Sequence, residues 1–305
     1  MAITLFSHSS CYRHLAGDDH PEQPARLSAI NDQLIRSGME YVVQQRDATP
    51  ATKQQLYQAH CKLYVDEIFA KEPGDGHIWL DPDTQMMKHS LEAALHAAGA
   101  GINAVDLVLQ DTNLQAFCSV RPPGHHATRD QAMGFCIFNN VAIAALHALK
   151  QHGLERVAIV DFDVHHGNGT EDIVSGDERI LFCSSFQFPL YPNTGDTASA
   201  DNIKNLPLPA LCKPALWREQ ITEHWLARIN DFKPQLMLVS AGFDGHREDD
   251  MAQFLLTEDD YQWIAQQIKQ LADTHCEGRV VAMLEGGYAL SALGRSVVTF
   301  LKGLM

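Results

Sequence analysis

The chain has 305 residues, 45% of them hydrophobic, and a formal net charge of −15. This composition is typical of a globular protein, and the acidic charge disfavours nucleic-acid binding because it repels phosphate. No apolar run approaches the ~20 residues of a membrane-spanning helix, and the N-terminus lacks an export signal. The seven cysteines, without a CxxC pair, indicate reduced and mostly buried thiols. We therefore predict a cytoplasmic protein with no membrane or nucleic-acid partner; the sequence predicts no particular oligomeric state.

Short apolar runs alternate with helix-like segments along the chain. The predicted strands span residues 3–7, 115–120, 156–161, 179–185, 235–240 and 279–284. The predicted helices span residues 24–37, 90–109, 139–151, 214–230, 257–273 and 289–302. This alternation indicates an α/β fold in which helices cover both faces of a parallel sheet. Since no linker or repeat interrupts it, we predict one domain over residues 1–305.

Four of the predicted strands run directly into polar, reactive sequences. These sequences are RPPGHH after 115–120, DFDVHH within and after 156–161, AGFD after 235–240 and EGGY after 279–284. In open parallel sheets, functional sites form outside the carboxyl ends of the strands. The sequence therefore predicts that histidine, aspartate and tyrosine side chains meet at one edge of the sheet.

The segment DFDVHH carries a candidate metal site. Residues i and i+2 of an extended segment face the same way, so Asp163 and His165 can bind one ion together. Asp161 lies on the same face and could orient a neighbour or hold a second cation. Asp244, at the end of another strand, can supply a third ligand. Two aspartates and one histidine suit zinc or ferrous ion and leave positions open for water and substrate, as catalysis requires.

Two further strand ends carry candidate catalytic groups. His125 and His126 stand in a loop fixed by two prolines and a glycine, where histidine suits proton transfer near neutral pH. Asp161 could hydrogen-bond to one of these rings. Tyr288 follows two glycines that let the backbone approach a ligand closely, and its hydroxyl could donate to a developing oxyanion.

Five motifs in this order resemble those of the histone deacetylase family: RPPGHHA, GFCIFNN, DFDVHHGNGT, SAGFDGH and LEGGY. HPEQPARL at 20–27 is similar to that family's N-terminal motif. Asn168 resembles the class II branch and its bacterial histone-deacetylase-like amidohydrolases, since the class I branch has aspartate there. The resemblance implies an arginase-like α/β domain with a mostly parallel eight-stranded sheet.

The resemblance also implies catalytic roles. A single zinc ion would be held by the Asp–His–Asp set at the strand ends. His126 would act as general base and acid, with His125 as its electrostatic partner. Asp161 would pair with His125, and Asn168 would lie behind His126. Tyr288 would polarise the acyl carbonyl.

Other positions would bind substrate according to the same resemblance. Phe135 and Tyr191 would wall a tunnel for the acyl-lysine stem, and the carbonyl of Gly134 would accept the scissile N–H. Asp83, in LDPDT, aligns with a rim aspartate that grips the substrate backbone. Met251 aligns with an aliphatic residue of the pocket wall.

A structural potassium ion is implied by the resemblance as well. It would be bound by Asp161 together with backbone around Asp163, His165, Ser184 and Ser185.

The predicted activity is hydrolysis of N-acetyl-lysine, in a protein, a peptide or a small molecule, to free amine and acetate. One alternative is an acetylpolyamine amidohydrolase, whose second ammonium would need carboxylates; the candidates are Glu248, Asp249, Asp250, Asp81 and Asp83. A two-manganese ureohydrolase is a further alternative, although DFDVHH offers histidine where those sites need another aspartate. The last alternative is a catalytically inactive domain that binds acylated lysine.

Overall fold

The computed structural model describes residues 3–17, 19–110 and 115–305. Its central element is a sheet of eight strands: β1 (Thr4–Ser7), β2 (Gln44–Asp47), β5 (Gln115–Cys118), β6 (Val157–Asp161), β7 (Ile180–Gln187), β8 (Ile203–Leu208), β9 (Leu236–Ala241) and β10 (Val280–Leu284). The strands lie in the order β2-β1-β5-β10-β9-β6-β7-β8. Every pairing in this sheet is parallel. A separate antiparallel hairpin consists of β3 (His77–Asp81) and β4 (Thr84–Met87).

The inner strands β6, β9 and β10 are buried at every residue. Successive side chains of a strand point to opposite faces, so both faces of the sheet are covered. The long helices among those covering it are α2 (Ala25–Arg36), α5 (Ser90–Gln110), α6 (Asn140–Gln151), α10 (Glu258–His275) and α11 (Leu290–Leu304). Helix α5 packs against α6, and α11 packs against both α10 and α2.

The remaining helices are shorter. They are α1 (Ser10–Arg13), α3 (Lys53–Leu56), α4 (Lys62–Ala70), α7 (Asn168–Val174), α8 (Pro214–Ile221) and α9 (Ala227–Phe232), with a 3₁₀ turn at Met39–Tyr41. A π-helical turn over Thr222–Leu226 joins α8 to α9, so one continuous helical segment covers the helix predicted at 214–230. No helix in the described ranges is both long and apolar enough to cross a membrane. All seven cysteines are free and all but Cys61 are buried, as predicted.

The four strands that end in polar motifs are neighbours, in the order β5-β10-β9-β6. Because all four are parallel, their carboxyl ends lie side by side at one edge. The predicted convergence of the four motifs is therefore confirmed, and this edge holds the site described next.

Candidate active site

A cluster of three possible metal ligands lies beyond the ends of β6 and β9. One ligand atom each from Asp163, His165 and Asp244 lies within 4.8 Å of the others, and all three residues are buried. Nδ1 of His165 is 3.1 Å from Oδ1 of Asp163 and 3.3 Å from Oδ2 of Asp244. The structure thus brings together the three residues that the strand-end pattern selected.

The charges of this cluster fit a bound cation. Burial lowers the pKa of His165, but its contacts with the two carboxylates outweigh burial and raise that pKa to about 10. Burial and the neighbouring carboxylate of Asp163 raise the pKa of Asp244 to about 6. Oδ2 of Asp244 has no hydrogen-bond partner among the described residues. Two buried carboxylates facing one imidazolium leave a negative charge uncompensated, and a divalent cation in place of the imidazole proton would compensate both carboxylates.

Glycines leave the space that the carboxylates occupy. A Cβ atom at Gly286 would lie 1.9 Å from Oδ2 of Asp244, and one at Gly242 would lie 2.0 Å from Oδ2 of Asp163. The backbone N–H of Gly286 also donates to Oδ2 of Asp163 over 2.8 Å. Gly286 of LEGGY and Gly242 of SAGFDGH therefore leave the space that the ligand carboxylates need, a role that the sequence predicted only for the glycines of LEGGY, as a close approach of the backbone to a ligand.

Gly286→Ala is expected to weaken metal binding by about 10–100-fold, as for loss of a supporting interaction around a metal site. The new methyl group would displace Oδ2 of Asp244 and remove the close approach of the backbone N–H to Asp163. Zinc affinity measured by titration calorimetry checks this expectation. The matched control is Gly74→Ala, where a Cβ atom meets nothing within 4 Å. Equal affinities for the two variants would contradict this account.

The two adjacent histidines occupy different electrostatic environments. Nδ1 of His125 donates to Oδ2 of Asp161 over 2.9 Å. Burial lowers the pKa of His125, but the charges of Asp161 and Asp163 outweigh it and raise that pKa to about 10. Nδ1 of His126 donates to Oδ1 of Asn168 over 2.7 Å. Burial, together with the nearby His125 and His165, holds the pKa of His126 well below its usual value. At neutral pH, His125 is thus charged and His126 neutral.

Glu285 supports the histidine loop and was not singled out from the sequence. Its Oε2 accepts from the backbone N–H groups of Gly124 at 2.7 Å and His125 at 3.1 Å, and its Oε1 accepts from Ser240 Oγ at 3.1 Å. Burial raises the pKa of this carboxyl to about 7. A charged residue directly after a strand that is buried throughout is the feature of the sequence that could have indicated Glu285.

A buried ion network ties the N-terminal motif to the loop after β10. Arg26 donates to the carbonyl of Gly287 over 2.7 Å and to Glu22 over 3.1 Å. Arg121 donates to Glu22 over 2.6 Å. Burial raises the pKa of Glu22, but Arg121 and His14 outweigh burial and hold it well below its usual value. The i, i+4 spacing of Glu22 and Arg26 in HPEQPARL was the available signal.

A cavity of about 250 Å³ opens above the ligand cluster. Its walls include all five residues predicted to bind substrate, three of the five predicted catalytic residues and two of the three predicted metal ligands: Asp83, Gly134, Phe135, Tyr191, Met251, His125, His126, Tyr288, Asp163 and His165. The ring of Tyr191 lies edge-on to His126, with ring centroids 5.2 Å apart. The ring of Phe135 lies edge-on to Tyr288 at 6.1 Å. Aromatic side chains thus line the cavity down to the polar cluster.

The β3–β4 hairpin closes one side of this cavity. Oδ1 of Asp83 accepts from the backbone N–H of Gly134 at 3.0 Å and from the hydroxyl of Thr84 at 2.8 Å. The backbone N–H of Phe135 donates to that hydroxyl over 3.0 Å. Asp83 therefore lies at the cavity, as predicted, and also anchors the loop that presents Phe135.

Tyr288 is held from two sides. Asp249 accepts from the backbone N–H groups of Tyr288 at 2.6 Å and Ala289 at 2.8 Å. The guanidinium of Arg26 lies over the tyrosine ring, 4.8 Å from its centroid. Burial raises the pKa of the hydroxyl well above its usual value, so it remains a proton donor at working pH.

Two of the acidic residues that follow Asp244, Glu248 and Asp249, form contacts within the protein. Asp249 is buried and bound to the backbone of the Tyr288 loop. Glu248 forms an ion pair with Arg295 at 2.9 Å. These two carboxylates, considered from the sequence as partners for a polyamine ammonium, therefore have other partners.

The serine residues of the predicted potassium site lie on β7. Ser184 pairs with Asp161 across the sheet, and its buried hydroxyl has no hydrogen-bond partner among the described residues. The hydroxyl of Ser185 accepts from Nε1 of Trp217 over 3.1 Å. A buried hydroxyl without a partner beside a buried carboxylate is a pair of polar groups that a cation would satisfy.

The chain matches the model of the histone deacetylase domain over residues 20–304, and it belongs to the histone deacetylase family. This is a family of deacetylases and amidohydrolases, and its domain implies a metal ion.

Among the relatives, histone deacetylase 14, chloroplastic, of Arabidopsis thaliana is 36% identical, over 100% of this chain and 77% of the relative. The histone deacetylase-like amidohydrolase of Pseudomonas aeruginosa is 33% identical, over 95% of this chain and 78% of the relative. The crystal structure of the HDA15 HD domain superposes with a TM-score of 0.91 and 30% identity, over 99% of this chain and 88% of that one. This superposition confirms the fold that the motifs implied.

Proposed function

We propose that this protein is a zinc-dependent deacetylase that hydrolyses the amide of N-acetyl-lysine, in a protein, peptide or small molecule. The observation that carries the proposal is the buried Asp163–His165–Asp244 cluster at the base of a cavity walled by aromatic rings. An apolar passage fits the methylene stem of lysine, and a cation held by the cluster would lie at the end of that passage, where the acyl group would be. The proposed catalytic unit is one domain over residues 1–305, and the proposed location is the cytoplasm.

The hydrogen bonds of the active-site side chains agree better with one catalytic ion than with two. Asp161 is hydrogen-bonded to His125, and His126 is hydrogen-bonded to Asn168, so neither pair points to a second bridged ion. This favours the deacetylase over a two-manganese ureohydrolase. No ligand is missing from the cluster and Tyr288 lines the cavity, which favours an enzyme over a silent binding module.

The proposed chemistry divides the proton transfers and charge stabilisation between His126 and Tyr288. A zinc ion held by the cluster supplies polarisation of the acyl carbonyl and a lowered pKa for a water molecule. His126, neutral before the reaction, takes the proton of the attacking water through Nε2, since its Nδ1 is bound to Asn168. The Tyr288 hydroxyl donates to the oxygen on which negative charge develops. His126 then gives its proton to the leaving amine, and acetate is released.

His125 affects these reaction steps through its charge. Its proton is shared with Asp161, and the resulting imidazolium helps to keep His126 neutral until substrate and water arrive. A structural potassium ion bound by Asp161, the Ser184 hydroxyl and backbone around Asp163, His165 and Ser185 would hold this arrangement in place.

The substrate preference is expected to be for acetyl-lysine over acetylpolyamine. Met251 lines the cavity, and a thioether suits an apolar stem better than a second ammonium. Glu248 and Asp249 already have partners within the protein. Asp83 lines the cavity, Asp81 lies beside it in the hairpin, and Asp250 is exposed; these are the remaining carboxylates that could favour a polyamine.

The test compares kcat/KM for an acetyl-lysine peptide with kcat/KM for N8-acetylspermidine and N-acetylputrescine. We expect the peptide to be preferred by about tenfold or more, which corresponds to about 1.4 kcal/mol in the transition state. A tenfold preference for either polyamine would overturn the substrate assignment. Loss of that preference in Asp81→Asn would then identify the carboxylate responsible.

A further inference from the structure

Apart from the active-site cluster, two groups of possible metal ligands occur in the part of the chain that the structure describes: His8, Glu92 and His96, and Asp106, His147 and His152. In the first group, the two imidazole rings stack face to face, with centroids 3.4 Å apart and planes 6° apart. The lone pairs of a ring lie in its plane, so flatly stacked rings direct them side by side and not towards one point. That group is therefore not a metal site.

In the second group, unlike the first, the imidazole nitrogens converge on one point. Nε2 of His147 and Nε2 of His152 are each 2.7 Å from the same oxygen, Oδ1 of Asp106. The two ring planes are 72° apart and their centroids are separated by 5.6 Å. Two imidazoles that share one zinc ion at Zn–N distances of about 2.0–2.1 Å have their centroids about 5–5.6 Å apart. Each ring thus directs its Nε2 atom to the same point, and the two ring centroids have the separation that a shared ion requires.

We propose that Asp106, His147 and His152 form a second site for a divalent transition-metal ion of the zinc type. Two histidines and one carboxylate are a common ligand set for such ions, with further positions left for water. The ion would take the place of the two Nε2 protons that now face the carboxylate, and each neutral imidazole would then carry its one proton on Nδ1. His147 is buried and His152 is half-buried, so both rings are held in place before binding.

This site is separate from the active site. Asp106 lies in the last turns of α5, which leads to β5. His147 lies in the last turns of α6, which leads to β6, and His152 is the residue that caps the end of α6. Both helices therefore end towards the amino ends of the strands, whereas the active site lies beyond the carboxyl ends. An ion there would clamp α5 to α6, two helices that pack against each other. Its predicted role is to stabilise the fold without taking part in hydrolysis.

The surroundings admit a cation. The three residues line an open, polar depression together with glutamine side chains such as Gln55 and Gln110. Lys150 lines the same depression, but its side chain is exposed and its ammonium can stay in solvent. The protein's net charge of −15 further favours cations at its surface.

The experiment counts zinc ions bound by the purified protein, using titration calorimetry and metal analysis after gel filtration. We expect two equivalents for the wild type and one for Asp244→Ala, which keeps only the second site. His152→Ala should also bind one equivalent but retain wild-type hydrolysis of acetyl-lysine. The double variant Asp244→Ala/His152→Ala should bind none. The matched control is His224→Ala, which removes an exposed histidine and should leave both equivalents in place.

Thermal unfolding gives a second readout. Zinc should raise the Tm of Asp244→Ala, and this rise should vanish when His152→Ala or Asp106→Asn is added, since binding to the folded state stabilises it. Asp106→Asn keeps the size of the side chain and guards against a variant that fails to fold. The proposal is overturned if Asp244→Ala binds no zinc, or if it still binds one equivalent after His152→Ala and Asp106→Asn. Because the count does not depend on hydrolysis, a failed deacetylase assay would leave this result interpretable.

Discussion

Asp244→Ala should abolish zinc binding at the active site and lower kcat/KM for acetyl-lysine by about 10³-fold or more, because metal polarisation provides several kcal/mol of transition-state stabilisation. The residue contributes a buried carboxylate oxygen that has no hydrogen-bond partner among the described residues. Its other oxygen accepts from the backbone N–H of Val164 over 3.1 Å, so some local rearrangement is expected while the sheet persists. Metal analysis, steady-state kinetics and circular dichroism together measure these effects.

The control for this variant is Asp231→Ala, which removes an exposed carboxylate on α9. Asp231→Ala should keep its metal content and activity. Full zinc content at the active site in a folded Asp244→Ala protein would remove Asp244 from the ligand set.

Tyr288→Phe should lower kcat by about 10²–10³-fold, the usual effect of losing one donor to a developing oxyanion, and should change KM much less. Phenylalanine keeps the ring, so the contacts with Phe135 and with the Arg26 guanidinium remain. Only the hydroxyl is lost. Single-turnover and steady-state kinetics on an acetyl-lysine substrate separate the two parameters.

The matched variant Tyr41→Phe removes a hydroxyl from a tyrosine that is 87% exposed, and it should behave like the wild type. A rise in KM at unchanged kcat for Tyr288→Phe would mean that this hydroxyl only binds substrate.

The inner part of the fold could be read from the sequence because its strands are buried on both faces. A strand such as β6, with VAIVD buried throughout, leaves a continuous apolar run that stands out between helices. The edge strand β2, with the sequence QQRD, is exposed at every residue and leaves no such pattern. The edge strand β8 and the β3–β4 hairpin were missed for a related reason: β8 and β4 mix buried residues with more exposed ones, and β3 has no buried residue.

The candidate ligands were predictable for the same reason that the inner strands were. Asp163, His165 and Asp244 each follow a recognisable strand by a few residues, and parallel strands bring such positions together. The residues that support them come from farther away in the sequence. Glu285 is 160 positions from His125, and Asp249 reaches the backbone of Tyr288 through a loop of irregular structure. No local pattern encodes such contacts, because they depend on how loops from different strands meet.

The most direct test of the account is release of acetate from an N-acetyl-lysine peptide by the purified protein. Activity should be measured as purified, after chelation and dialysis, and after zinc is restored. We predict stoichiometric formation of acetate and free lysine amine, loss of that activity on chelation, and its recovery with one equivalent of zinc at the Asp163–His165–Asp244 cluster. Recovery should fail in Asp244→Ala. A folded, zinc-loaded wild-type protein that releases no acetate from acetyl-lysine, or that hydrolyses it equally well without metal, would contradict the account.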